Sequence, residues 1–170
     1  MNMSAKGAYP TIIETIHGQF VAWFSEKGLT GIDFPNGSQS SELPLPSEIP
    51  APPEKWVVLT RQAIANALAG KPAGTLPPLD LSVGTPFQRE VWKVLTGVPC
   101  GSTISYGAIA KAIGRPQASR AVGAACGANP IPVLVPCHRV LASNSRLGGF
   151  SGGLDWKRKL LNAEGVTVQS

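Results

Sequence analysis

No apolar run in the 170 residues approaches the roughly 18 needed to cross a bilayer, which sets membrane-spanning classes aside. The opening stretch, Met1 to Pro10, lacks the basic-then-apolar order of a secretory leader. Cysteine is scarce. Cys100, Cys126 and Cys137 are an odd count, too few for a disulfide framework and not spaced as zinc ligands. The expectation is a reduced, cytoplasmic protein with no structural metal. Charged residues are also sparse, at 15%, whereas the apolar fraction of 43% is that of a chain able to bury a core. Glycine (19) and proline (16) are plentiful, so loops must carry much of the structure.

The charge that is present is unevenly placed. Residues 1–80 carry a net −2, and residues 81–170 a net +7. A basic half joined to a mildly acidic one suggests that only the second meets a polyanion. Charge alone leaves open a basic domain with no nucleic-acid role.

The first part, residues 1–81, reads as a small α/β scaffold. Thr11 to Ile16 and Gln19 to Phe24 are β-rich runs broken at His17-Gly18, and Leu29 to Phe34 can add a third strand. Five of the eleven residues from Leu43 to Pro53 are proline, which predicts an extended connector. Glu54 to Ala69 places Trp56, Val57, Ile64, Ala67 and Leu68 at helical spacing before Gly70. This part shows no chemistry of its own.

A second connector, Pro72 to Pro78, leads into residues 82–170. Thr85-Pro86-Phe87-Gln88 is a helix start, with Thr85 as N-cap and Gln88 completing a capping box. Phe87, Val91, Val94 and Leu95 form its apolar stripe, and Gly97 ends it. Ser105 caps a second helix with Tyr106, Ile109, Ala110 and Ile113 inward, stopped by Gly114. After Arg115-Pro116 a third helix is expected from Gln117 to Gly127. Two short helices across a tight turn are a helix-turn-helix pattern. The third helix carries Ala118, Ser119, Ala121, Gly123, Ala124 and Ala125, with Arg120 its one long side chain. Major-groove reading needs more hydrogen-bonding side chains than that, so a thin helix with one Arg to insert suits the minor groove. The same small residues also fit close packing, with Ala121, Val122 and Ala125 expected inward.

Ile131 to Val135 is an apolar run ending at Pro136, which fixes the backbone before Cys137-His138. A thiolate is the reactive form of cysteine, and a neighbouring imidazole can take its proton. Adjacent side chains diverge in extended chain, so His138 engages Cys137 only across a turn or through a water. By itself the dipeptide fits a buried, inert cysteine better. Arg146 to Gly153 is a glycine-rich loop that can fold over a ligand or serve as a plain connector. Asp155 to Glu164 forms a last helix with Trp156, Leu160 and Leu161 inward. Glu164 falls in its final turn, where the dipole disfavours an anion, so a cationic or hydrogen-bonding partner such as His138 is expected unless water solvates it.

The pentapeptide Pro136-Cys137-His138-Arg139-Val140 follows Asn129-Pro130 and precedes Ser151-Gly152-Gly153. With the helix-turn-helix before it, this set resembles the methylated-DNA–protein-cysteine methyltransferases, or O6-alkylguanine-DNA alkyltransferases, from about Gly84 to Gly165. The resemblance implies an α/β (α+β) chain with a small N-terminal domain and a winged helix-turn-helix domain bearing the reactive cysteine. It implies single-turnover DNA repair, in which an alkyl group moves from O6 of guanine, and by extension O4 of thymine, to Cys137. His138 would act as a water-mediated base oriented by Glu164, and Asn129 would brace the turn. Tyr106 would crowd the phosphate beside the lesion, Arg120 would fill the vacated stack, and Ala121 and Gly123 would lie against DNA. Val135, Pro136, Phe150, Ser151 and Gly152 would shape the pocket. The implied partner is alkylated double-stranded DNA met by a monomer, with no cofactor, no metal and no small-molecule methyl donor.

Departures from the family pattern are visible. Phe150 stands where many members have tyrosine, so a phenol hydrogen bond to the base is missing. The N-terminal part has no cysteine and only His17, which excludes a structural zinc site there. Cys126 reads as a small buried residue. The rival readings are a non-catalytic lesion binder, a Cys-His hydrolase and a winged-helix regulator. Cys137, the absence of a second catalytic signal, and the bare third helix argue against them in that order.

Overall fold

Alternating apolar and polar positions near the amino terminus build an antiparallel sheet in the order β1 (Tyr9–Thr15), β2 (Gly18–Ser25), β3 (Gly28–Asp33). The structure is a computed structural model that describes residues 8–35 and 49–168. Residues 1–7, where a leader would start, and 43–48 of the proline-rich connector lie outside the described residues. Ile13 pairs with Phe20 and Tyr9 with Phe24, and the β2–β3 register slips between Trp23 and Phe24. Ile13, Phe20 and Phe24 are buried, while Glu14 faces outward. In the first hairpin Thr15 Oγ1 accepts the His17 N–H (3.1 Å) and donates to the Gly18 carbonyl (2.7 Å).

β3 ties the sheet to the remaining chain. Leu29 donates to the Pro78 carbonyl (2.8 Å) and accepts from Asp80 (2.7 Å), and the Ile32 N–H reaches the Pro130 carbonyl at 2.9 Å. Ser25 Oγ donates to Asp80 Oδ2 at 2.6 Å. Helix α1 (Glu54–Leu68) follows Pro53 and buries Thr60, Ala63, Ile64 and Ala67.

The second part runs α2 (Pro86–Thr96), β4 (Ile104–Ser105), α3 (Tyr106–Ala112), α4 (Ser119–Gly127), a single 3-10 turn (Cys137–Arg139), β5 (Val140–Leu141) and α5 (Leu154–Ala163). The capping box forms as expected: Thr85 Oγ1 accepts from Gln88 N (3.2 Å) and Gln88 Oε1 from Thr85 N (2.9 Å). Ser105 Oγ accepts the Ala108 N–H at 3.1 Å. The indole of Trp92, buried on α2, donates to the Ala125 carbonyl (2.8 Å) and pins α4 in place. β4 and β5 pair in parallel.

Three expectations need correction. α4 begins at Ser119, because Pro116-Gln117 forms the turn between the helices. Ala121 is exposed on that helix, and Val122, Ala125 and Cys126 are its buried residues. α5 ends at Ala163, which makes Glu164 its C-cap. One buried cluster takes in Phe20 and Leu29 of the sheet, Ile64 of α1, Trp92 of α2, and Cys137. Residues on both sides of position 82 therefore share a core. No helix among the described residues is long and apolar enough to cross a membrane.

Candidate active site

The buried run before Cys137 is folded into turns, not extended. Val135 N donates to the Ile131 carbonyl at 2.9 Å, and Val133 sits at φ +77°, a strained value for a β-branched residue. Pro136, at φ −80° and ψ 65°, is the centre of an inverse γ-turn closed by Cys137 N and the Val135 carbonyl (2.8 Å). Asn129 laces these turns together. Its Oδ1 accepts from Ile131 N (3.0 Å), and its Nδ2 donates to the Val135 carbonyl (2.8 Å) and to Cys137 Sγ (3.1 Å). The Ile32–Pro130 bond holds the segment from the sheet side.

His138 is fully buried, with Nε2 2.9 Å from Glu164 Oε1. The Glu164 carboxylate also receives Arg139 Nη2 (2.8 Å), Arg139 Nε (3.1 and 3.2 Å to the two oxygens) and the Gly101 N–H (3.1 Å). Burial alone would raise its pKa, but the hydrogen bonds from His138 and Arg139 outweigh burial and bring it down to about 2. An ionised carboxylate only accepts, so the imidazole proton lies on Nε2 and the lone pair on Nδ1. Nδ1 is buried and has no hydrogen-bond partner among the described residues. Burial lowers the His138 pKa, against the pull of Glu164, so the ring is neutral at pH 7. The expected His138–Glu164 pair is present. Arg139, which sequence reasoning left without a role, supplies the cation at the end of α5 and donates Nη1 to the Val98 carbonyl (2.6 Å).

Burial pushes the Cys137 thiol up to about 11, opposed by the Asn129 N–H and the charge of Lys157. At rest it is a thiol. Lys157 was missed by sequence reasoning, although it stands at positions i, i+3, i+4, i+7 with Leu160, Leu161 and Glu164 on the buried face of α5. Its ammonium is fully enclosed and donates to the carbonyls of Val140 (2.6 Å), Gly149 (3.2 Å) and Leu147. Burial pushes its pKa down to about 8. It thereby fastens β5 and the glycine-rich loop to α5.

A cavity of about 430 Å³ opens over Cys137, lined by Tyr106, Gly123, Cys126, Gly127, Gly149, Phe150 and Ser151. Burial raises the pKa of Tyr106, against a smaller lowering pull from the Gly149 N–H, so its phenol stays protonated. Gly148 has φ +64°, and a Cβ there would stand 2.6 Å from the phenol oxygen, so only glycine fits. The Phe150 ring lies edge-on to Phe34 (centroids 5.6 Å apart) and to His138 (6.5 Å). Of the expected pocket residues, Phe150 and Ser151 reach the cavity. Val135 and Pro136 form the turn behind the cysteine. Gly152 is packed on the Phe34 ring, which a Cβ would meet at 2.5 Å. Arg120 and Ala121 are exposed at the start of α4. Cys126 is buried as expected, but it is also part of the cavity wall. No group of three or more His, Cys, Asp or Glu among the described residues could hold a metal ion.

Residues 86–166 match the family model of the 6-O-methylguanine DNA methyltransferase DNA-binding domain. The methylated-DNA–protein-cysteine methyltransferase of Methanosarcina acetivorans is 40% identical over 163 residues, 92% of this chain and 98% of that protein. The chain belongs to this family. The methylated-DNA–protein-cysteine methyltransferase of Salmonella typhimurium is 50% identical over 109 residues, and the match covers 62% of this chain and 64% of that protein, just under two thirds of its length. Among solved structures, Mycobacterium tuberculosis OGT in complex with DNA aligns with a TM-score of 0.75 and 36% identity over 92% of both chains. The mixed α/β architecture is thus that of known methylated-DNA–protein-cysteine methyltransferases.

Proposed function

We propose that this protein repairs alkylated DNA by moving the alkyl group from O6 of a damaged guanine, or O4 of thymine, onto Sγ of Cys137. The reading is carried by one observation: Cys137 faces a cavity with a protonated Tyr106, and a buried His138–Glu164 pair lies beside it with Nδ1 free to accept. The Cys137 proton passes to Nδ1 through a water, and Glu164 stabilises the imidazolium that results. The thiolate attacks the alkyl carbon, the carbon–oxygen bond breaks, and the electron pair stays with the guanine, whose anion takes up the proton given back by the His138 imidazolium through water as the base leaves. A thioether is stable to water, so each molecule reacts once. The DNA is itself the donor, and neither a cofactor nor a small-molecule methyl donor has a part in the step.

Reaching O6 of a paired guanine requires extruding the nucleotide, at a cost of a few kcal/mol that a weakened lesion pair reduces. α3 and α4 lie in the half of net charge +7, which offsets that cost through phosphate contacts. Arg120 enters the stack from the exposed face of α4, and Ala121 and Gly123 let the backbone approach the minor groove. Tyr106 sits where the flipped nucleotide enters. Val135 and Pro136 set the position of the cysteine, while Phe150, Ser151 and the backbone around Gly152 receive the base. All these groups come from one chain, so a monomer suffices, and the free thiols fit the cytoplasm.

Cys137→Ser tests the acceptor. The variant is expected to bind methylguanine duplex and to transfer nothing. Lesion removal by the serine protein would show that the acceptor lies elsewhere.

A further inference from the structure

Cys126 is a buried nucleophile for which methyl transfer has no use. It lies in the last turn of α4 and lines the same cavity as Cys137, and both are free thiols. One residue joins them: Asn129 gives its backbone N–H to the Cys126 carbonyl (3.2 Å) and its side-chain amide to Cys137 Sγ (3.1 Å). Of the six other lining residues three are glycines, Gly123, Gly127 and Gly149, which put no side chains into the cavity that the two cysteines share. We propose that Cys126 is a second acceptor, which captures the far end of any transferred alkyl group that carries a leaving group of its own, such as a 2-haloethyl chain. The proposal rests on Cys137 as the first acceptor and extends the substrate class of that site to bifunctional alkyl lesions.

The chemistry closes without an added reactant. Cys137 first takes the 2-haloethyl group from O6, forming a carbon–sulfur bond as the carbon–oxygen bond breaks. The new thioether sulfur displaces the halide from the neighbouring carbon, and the halide leaves with its bonding pair to give a three-membered episulfonium. Cys126 Sγ attacks one ring carbon, and that carbon's bond to the Cys137 sulfur breaks and returns its pair to the sulfur. The Cys126 proton departs to solvent, so hydrogen halide is the net by-product. The product is an ethylene bridge between the two sulfurs.

The environment sets the order of events. Burial holds the Cys126 thiol up at about 12, and Cys137 raises it further only when ionised, so Cys126 does not compete for the first alkyl group. Once alkylated, Cys137 can no longer carry a negative charge, and a sulfonium in the cavity favours the Cys126 thiolate. Attack within one cavity then gains the advantage of a reaction between pre-positioned groups. Without Cys126 the sulfonium is left to water or to the DNA still in the groove.

The test uses duplex containing O6-(2-chloroethyl)guanine, with iodoacetamide capping of free thiols and tryptic mapping. Trypsin releases both cysteines in one peptide, residues 121–139. Among molecules alkylated at Cys137, most are expected to carry the ethylene bridge and no capped thiol. An open hydroxyethyl or chloroethyl group on Cys137 beside a capped Cys126 would overturn the proposal. Methylguanine duplex is run in parallel, and failure to methylate Cys137 would instead overturn the reading on which the proposal rests. In Cys126→Ser, again counting only molecules alkylated at Cys137, hydroxyethyl product and protein–DNA cross-link together should rise at least tenfold. An unchanged partition would also count against the second acceptor.

Discussion

The sheet of β1 to β3 and the segment from Asn129 to Glu164 are held in shape by different forces. In the sheet, backbone ladders and alternating apolar side chains carry the order, side-chain hydrogen bonds such as Thr15 in the hairpin and Ser25–Asp80 stand at its turns, and its inward residues are hydrocarbon. Around Cys137 regular structure is scant, and buried polar side chains take its place: Asn129 on the turns, Lys157 on three carbonyls, and Arg139 on Glu164. A strand or helix would have aimed neighbouring side chains by its own period. Turns stitched by hydrogen bonds can instead bring a thiol, an imidazole and an arginine from consecutive positions into one buried cluster. The sheet and the residue that follows it touch this segment through the Ile32–Pro130 bond, the packing of Phe34 on Phe150 and Gly152, and the contacts of Phe20 and Phe34 with Trp156.

The comparison predicts that polar changes in the second region act on chemistry and stability together. Glu164→Gln should slow transfer about 100-fold, since it weakens the support of the imidazolium, and should cost about 3 kcal/mol by leaving Arg139 unpaired in the interior. Stopped-flow transfer assays and urea denaturation measure the two effects. The wild-type carboxylate, at about 2 in the fold and 4.5 in the free side chain, contributes stability that is complete above pH 4.5 and is lost as pH falls toward 2. In that window the unfolded chain binds the proton first, so acid favours unfolding. Glu164→Gln should lack this component, and an unchanged acid profile would show that the pair is not the ionised one described.

Arg120→Ala should slow repair of duplex by about 30-fold, on the scale of a few kcal/mol for extrusion, and leave reaction with free alkylated guanine base unchanged. Equal losses on both substrates would remove the stack-filling role. Phe34→Ala probes the sheet's reach into the site. It should cost about 3 kcal/mol of stability by opening a cavity. Measured at a temperature where the variant stays folded, transfer should still fall about tenfold, a displacement of the pocket wall worth about 1.4 kcal/mol. A normal rate would confine the sheet to a scaffold. Ile16→Ser, at the exposed hairpin tip (94% accessible), should change stability by less than about 0.5 kcal/mol and leave the rate alone.

Local features were the legible ones. The Thr85–Gln88 capping box, the Ser105 cap and the first hairpin depend on residues a few positions apart, and all are present in the structure. The pairing of Glu164 was legible for a different reason: an anion at a helix C-terminus needs a partner, and that need shows in the sequence. Arg139 and Lys157 were not legible, because long cationic side chains are ordinarily solvated and only the folded chain reveals that both are enclosed. The role of Phe34 depends on a contact 116 positions away in sequence, with Phe150. The exposure of Ala121 escaped notice because alanine fits a buried or an open face equally well.

The central claim is that Cys137 accepts the lesion's alkyl group once and keeps it. Intact-protein mass spectrometry after incubation with excess O6-methylguanine duplex tests it most directly. One added methyl per chain, located at Cys137 within residues 121–139, with one lesion consumed per protein molecule, is the predicted result. Continued lesion removal beyond one equivalent, or a methyl found on another residue, would contradict it.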